Sequence, residues 1–378
     1  MRRYLNAIAG VLTSLVVPAA LGLAQSGQTP VRVAEATLRT PHSASASGEQ
    51  SKVAQVNNWT VGIAGGFFEG TFIHFAVDLA KALDDGENLR ILPIVSYGGN
   101  ENISDLLYMK GVDLSIAYTD TMEYYKKSGQ VKNIEQRINY ISELLNGEFY
   151  IYARPEIKTV KDLDGKKITL GTKGSSATTT GPIVFDRLGV HPEILYTNNT
   201  IAIEQMKTGE IDAIVTTCGK PCDFFVKLKP EPGFHFVPID YGSKFTDFYV
   251  PCPLSHEDYP QLIEPGTRVD TLCMMAVLAV YNFSRDSDRF RRVERFIQYY
   301  FDRFERLRQP AFHPKWREVN LAAKVPGWTR YWVAEEKLAE MSRLSGGGGI
   351  DNPGSGPLSK QDALFREFME WRQRQGRR

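Results

Sequence analysis

The chain has 378 residues, 42% of them apolar and 11% aromatic, enough to bury one large core or two medium ones. Its 45 Lys and Arg residues face 44 Asp and Glu, a formal net charge of +1. So even a balance argues against a nucleic-acid footprint and against a polybasic membrane patch.

In chain order, Arg2 and Arg3 precede an apolar run over residues 5–23, and Gly22-Leu23-Ala24 places small residues ahead of a cut after Ala24. That is the layout of a secretory signal peptide over residues 1–24, so the mature chain is expected in the periplasm, without stable membrane insertion. Asn6, Thr13, Ser14 and Pro18 make the run a poor membrane span, and no Cys follows it to carry a lipid anchor. Residues 25–57 are rich in Ser, Ala, Gln and Thr and read as a disordered leader.

From Trp59 onward short β-like runs alternate with helical patterns, the signature of a mostly parallel sheet covered by helices. Residues 59–64, 89–95 and 114–118 read as strands. Between them lie a helix over 71–83, with Ile73, Ala76, Val77 and Ala80 on one face, and a shorter one marked by Ile103, Leu106 and Leu107. A helical turn starts at Asp120, and strands over 138–145 and 148–153 complete a first group. Pro155 and the Asp164-Gly165 turn open a second series, with strands over 167–170, 194–197 and 213–217 and helices over 178–188 and 200–207. Residues 234–239 close it. The apolar run over 272–281 is expected as a buried strand, followed by helices over about 287–307 and 329–343. Five residues from Ser345 to Gly349 form a linker. A last helix over 360–375 carries Leu364, Phe365, Phe368 and Trp371 at helical spacing.

Two βα series and a terminal return predict an α/β body of two lobes, each a mostly parallel sheet flanked by helices, with a ligand cleft between them. The expected division is lobe 1 from 58–154, lobe 2 from 155–267, and a return to lobe 1 with C-terminal helices over 268–344. The linker and terminal helix take 345–378. Cys218 and Cys222 are close enough to bridge across a turn, which would leave Cys252 with Cys273; free buried thiols are the alternative. A zinc site is not expected, since C-x3-C has neither a second close pair nor a His cluster beside it.

Three strand-to-helix loops combine Gly with small polar residues: 65–71, 96–102 and 171–177. A fourth, 216–221, fits the same mould. Glycine lets backbone approach a ligand, and a helix N-terminus attracts carboxylate or phosphate. None of the six His residues sits in a recognisable catalytic signature, so no enzyme, cofactor or metal is expected.

These loops resemble those of the TAXI family of TRAP-transporter solute receptors, within the type II periplasmic binding-protein fold. The resemblance covers about residues 58–343. Gly70-Thr71-Phe72 stands where that family has Gly-Thr-Tyr, and Gly98-Gly99-Asn100-Glu101-Asn102 where it has Gly-Ser-x-x-Asn. Asp120 ends the third strand, Asp162-Leu163-Asp164-Gly165-Lys166 and Gly174-Ser175-Ser176 follow, and Gly209 to Ala213 and Gly219-x-Pro221 match later turns. The resemblance implies a receptor for a small organic carboxylate or amino acid, delivered to TRAP membrane subunits. A periplasmic sensor signalling to a membrane receptor or kinase is the alternative. Loops and resemblance together give as expected ligand-binding residues Gly66, Glu69, Gly70, Thr71, Gly99, Asn102 and Asp120 from lobe 1, and Gly174, Ser175, Ser176, Thr217, Gly219 and Pro221 from lobe 2. Phe72 for Tyr and Gly99 for Ser each remove a hydroxyl, and Phe67, Phe68 and Glu69 make the first loop bulkier and more acidic.

Overall fold

The computed structural model describes residues 43–344. The signal peptide, most of the leader, the linker and the terminal helix expected from the sequence lie outside them. Met1–Glu49 separates from a body of Gln50–Arg378. The body begins inside helix α1 (Ser43–Asn58), which occupies the end of the stretch read as a leader. Ala, Gln, Lys and Glu there favour helix, although the residues from Gly48 to Asn58 stay exposed.

The first series of the body runs β1 (Thr60–Gly66), α2 (Thr71–Leu83), β2 (Arg90–Val95), α3 (Gly99–Tyr108), β3 (Leu114–Tyr118), α4 (Thr119–Ser128) and α5 (Ile134–Arg137). The long β4 (Ile138–Ala153) then crosses to β5 (Lys167–Thr169), α6 (Ala177–Leu188), β6 (Glu193–Leu195), α7 (Asn199–Thr208), β7 (Ala213–Cys218), α8 (Asp223–Lys227) and β8 (His235–Phe236). β9 (Tyr249–Ser255) and β10 (Arg268–Tyr281) lead back to α9 (Asp288–Asp302), α10 (Phe304–Leu307) and α11 (Trp332–Leu344).

The strands lie in the order β2-β1-β3-β10-β4-β7-β5-β6, with β8 added on β4 and β9 on β10. β2, β1 and β3 are mutually parallel, as are β7, β5 and β6. Between these two parallel groups run β10 and β4, antiparallel to each other and to their outer neighbours. Each long strand serves both lobes. Residues 276–280 of β10 pair with β3, whereas residues 268–274 pair with β9. β4 meets β7 only over residues 148–153. The fold is therefore α/β with two parallel βα lobes joined through two shared strands.

The burial of β1 and β3 explains their largely apolar composition: all five residues of β3, Ser115 included, are buried, as a strand covered on both faces requires. β4 continues through Asn146-Gly147, where the sequence predicts a break. Gly147 is needed there because a Cβ would lie 2.0 Å from the Tyr118 hydroxyl oxygen. No strand is expected from the sequence at 249–255, a segment that carries Pro251 and Pro253. β9 nonetheless forms because it pairs only with β10, and an edge strand tolerates proline. The helix expected over 287–307 is interrupted at Arg303. Both disulfides are formed, Cys218–Cys222 and Cys252–Cys273, each with Cα atoms 5.7 Å apart.

Candidate functional site

The carboxyl ends of the parallel strands from both lobes face one another across a cavity of about 100 Å³. Lobe 1 lines it with the β1–α2 loop, with Tyr97 and Gly98 ahead of α3, and with Tyr118 at the end of β3. Lobe 2 supplies Gly171, Thr172, Ser175 and Ser176 ahead of α6, Asn198 and Asn199 at the start of α7, and residues 216–218 with Cys222 and Phe224 after β7.

Four helices thus begin at the cavity wall. The N-caps of α2, α3 and α6 (Gly70, Gly98 and Ser176) make no side-chain capping bond, while Asn198 of α7 accepts the Thr200 amide. The aligned peptide dipoles of these helices make such a convergence favourable to negative charge. Glu69 is the one charged side chain among the described lining residues. The Asn199 side-chain oxygen is buried and unpartnered, while its amide nitrogen lies 3.5 Å from the Thr216 hydroxyl. Burial, with the negative charges of Glu148 and Asp120 nearby, holds the Tyr118 hydroxyl well above the usual tyrosine range, so it stays protonated.

The lobes touch at the cavity edge. The Gly99 amide donates to Ser176 Oγ at 3.1 Å, and the Glu101 amide to the Gly174 carbonyl at 3.1 Å. Gly98, at φ +133°, comes so close that a Cβ would lie 2.9 Å from Ser175 Cα. On the other side Thr71 Oγ1 both donates to the Gly219 carbonyl and accepts its amide, at 3.0 Å each. Below them Asp120 Oδ2 accepts from Thr180 Oγ1 at 2.7 Å and from the Tyr249 hydroxyl at 3.2 Å. Burial raises the Asp120 carboxyl above its ordinary value, against the opposing pull of those bonds and of the Thr121 amide.

Of the residues expected from sequence, Gly66, Glu69, Gly70, Thr71, Ser175, Ser176 and Thr217 line the cavity. Gly99, Gly174 and Gly219 instead make the backbone contacts that join the lobes across the cleft. Asp120 is placed beneath, tying α4 to α6 and β9. Asn102 is fully buried, accepting from Ser96 Oγ and donating to the Ile116 carbonyl at 2.7 Å, so it braces the loop before α3. Pro221 follows the cis Lys220–Pro221 peptide, outside the lining. Lys220 turns its ammonium to Asp258 at 3.1 Å and to the Pro253 carbonyl at 2.8 Å, and exposed Lys173 lies over the Tyr196 ring. Asn198, Asn199 and Phe224 are lining residues that loop composition missed. The Thr197-Asn198-Asn199-Thr200 turn has no glycine, although its N-cap asparagine was a readable helix start.

Known proteins of similar structure include an amino acid ABC transporter substrate-binding protein from Streptococcus pneumoniae bound to L-arginine. It is 14% identical, with a TM-score of 0.39 over 72% of this chain and 98% of that one. The VFT2 domain of Bordetella pertussis BvgS is 13% identical, with a TM-score of 0.37 over 66% of this chain and 91% of that one. No curated protein sequence matches the chain. The NMT1-like family, by contrast, matches residues 63–323, from the middle of β1 to beyond α10 and so across both lobes and the whole cavity wall. The chain belongs to the NMT1-like family, of the periplasmic binding-protein type.

Proposed function

We propose that the protein is an extracytoplasmic solute-binding receptor that captures a small organic carboxylate, foremost an amino acid, and delivers it to TRAP-type membrane subunits. The observation that carries this reading is the convergence of four helix N-termini from two lobes on one cavity, whose single charged side chain among the described residues is Glu69. A ligand carboxylate sits at the helix starts, where amides and hydroxyls replace its water shell without a counter-cation. An ammonium group on the same ligand faces Glu69 and the Asn199 oxygen. Phe67, Phe72, Tyr97 and Tyr118 enclose the carbon skeleton. The signal peptide read at residues 1–24 supports capture in the periplasm. Closing of the lobes then presents the loaded form to the membrane subunits.

A matched thermal-shift series tests the ligand class: L-glutamate, 2-oxoglutarate and 4-aminobutyrate, with the corresponding sets for other amino acids, on the chain purified without residues 1–24. A ligand at one hundred times its Kd stabilises the native state by about 2.7 kcal/mol, well within reach of the measurement. The expected order is amino acid first, oxo acid second, and amine lacking the α-carboxylate last. Flat curves for every carboxylate on a folded, ligand-free chain would overturn the reading. Delivery is tested separately, by uptake into vesicles that carry the membrane subunits.

A further inference from the structure

We propose that Glu148 is a positioning residue for the cavity: without lining it, its carboxylate fixes the loop after β7 against Thr71 and so sets how the two lobes meet. The inference rests on the cavity being the ligand site of the proposed receptor. Glu148 is fully buried on β4, paired in register with Cys218 of β7 on one side and Cys273 of β10 on the other. That is where the shared strands pass from one lobe to the next. Its two oxygens have different partners. Oε1 takes the Lys315 ammonium at 2.8 Å, and Oε2 takes the backbone amide of Lys220 at 2.7 Å.

The Lys220 amide is one residue from Gly219, whose own amide and carbonyl both engage the Thr71 hydroxyl. Gly219 has no slack, since a Cβ there would lie 2.6 Å from Leu145 Cδ1 and 3.0 Å from Thr71 Cγ2. A shift of the loop at Lys220 is therefore transmitted to Thr71, which lines the cavity at the first turn of α2. Lys315, on the turn Pro314–Arg317, holds the carboxylate from behind, with Glu318 3.2 Å from the same ammonium. A buried ion pair is rarely the most stable filling for such a space, because apolar residues of similar volume commonly serve as well. What an apolar pair cannot supply is an acceptor for the Lys220 amide.

Two neutral double variants separate these roles. Glu148→Gln with Lys315→Met removes both charges and keeps the acceptor; Glu148→Leu with Lys315→Met removes both charges and the acceptor. Amide hydrogen exchange, read residue by residue in the ligand-free chain, is the measurement. Exchange at Gly219 and Lys220 is expected to be at least about tenfold faster in the Leu/Met variant than in the Gln/Met variant, with the β3 amides alike in both. Equal rates at Gly219 and Lys220 would overturn the proposal. Should the Leu/Met variant fail to fold, Thr71→Val decides in its place: the Gly219 amide is expected to speed up while Lys220, held by Glu148, stays slow. Loss of protection at both would count against Glu148. Because no ligand is added, a negative ligand screen and a failure here are distinguishable.

Discussion

The two walls of the cavity are made of different chemistry. Lobe 1 contributes glycines (Gly65, Gly66, Gly70 and Gly98) and aromatic rings, with Glu69 as the one charge among the described lining residues. Lobe 2 contributes hydroxyls and carboxamides: Thr172, Ser175, Ser176, Asn198, Asn199, Thr216 and Thr217. The first wall gives shape and lets backbone come close. The second gives directional hydrogen bonds. Neither wall alone encloses a ligand, so recognition depends on how tightly they meet, and at Gly98 the backbone comes so near the start of α6 that no side chain fits between.

The largest effect should come from spoiling that approach. Gly98→Ala adds a Cβ that meets Ser175 Cα and forces alanine to φ +133°, so ligand affinity by calorimetry is expected to fall at least about a hundredfold while the ligand-free chain stays folded. Next comes the charge on the lobe 1 wall. Glu69→Gln is expected to weaken an amino acid by about 1.5–3 kcal/mol and to leave the matching 2-oxo acid nearly unchanged. Equal losses for both would remove Glu69 from ammonium recognition. On the lobe 2 wall, Asn199→Ala or the pair Ser175→Ala and Ser176→Ala should each cost about tenfold. Ser176 loses its bond from Gly99 as well, so its effect should appear partly in the rate of closure.

The smallest effect is a pH dependence beneath both walls. Burial raises the Asp120 carboxyl above 3.8, so its protonated form suits the closed body better than its ionised form. The stability it contributes is complete below that value and is lost as pH rises through the raised one. Asp120→Asn is therefore expected to raise the melting temperature near pH ~7 and to leave it unchanged near pH ~3. A variant that melts lower at both pH values would show that the carboxylate itself is required.

Legibility in the sequence follows the same division between the walls. The lobe 1 loops announce themselves because glycine clusters after apolar runs are visible as letters, and α2 and β3 have the very bounds that periodicity predicts. The lobe 2 wall is harder to read. Ser175 and Ser176 sit in a Gly-rich loop, but Asn198 and Asn199 occupy an ordinary-looking turn, and only the sheet order brings that turn beside β7. Asn102 and Asp120 are a different case. Their types and positions fit ligand contact, yet buried neighbours far along the chain, Ile116 for one and Thr180 and Tyr249 for the other, satisfy them instead. Glu148 carried no local signal, since its partners Lys220 and Lys315 are distant in sequence.

The two shared strands also govern the order in which the chain can fold. β3 ends at Tyr118, but the neighbour that covers its far edge is residues 276–280 of β10. Until that late strand arrives, the first three strands form an open sheet with an unpaired edge, a state prone to aggregation and short of its core. Contacts of such sequence separation make for slow, cooperative folding of the whole body, not stepwise consolidation from the N-terminus. A chain built this way cannot close the edge of its first lobe until residues 276–280 are in place, so the beginning of the body depends on a segment near its end.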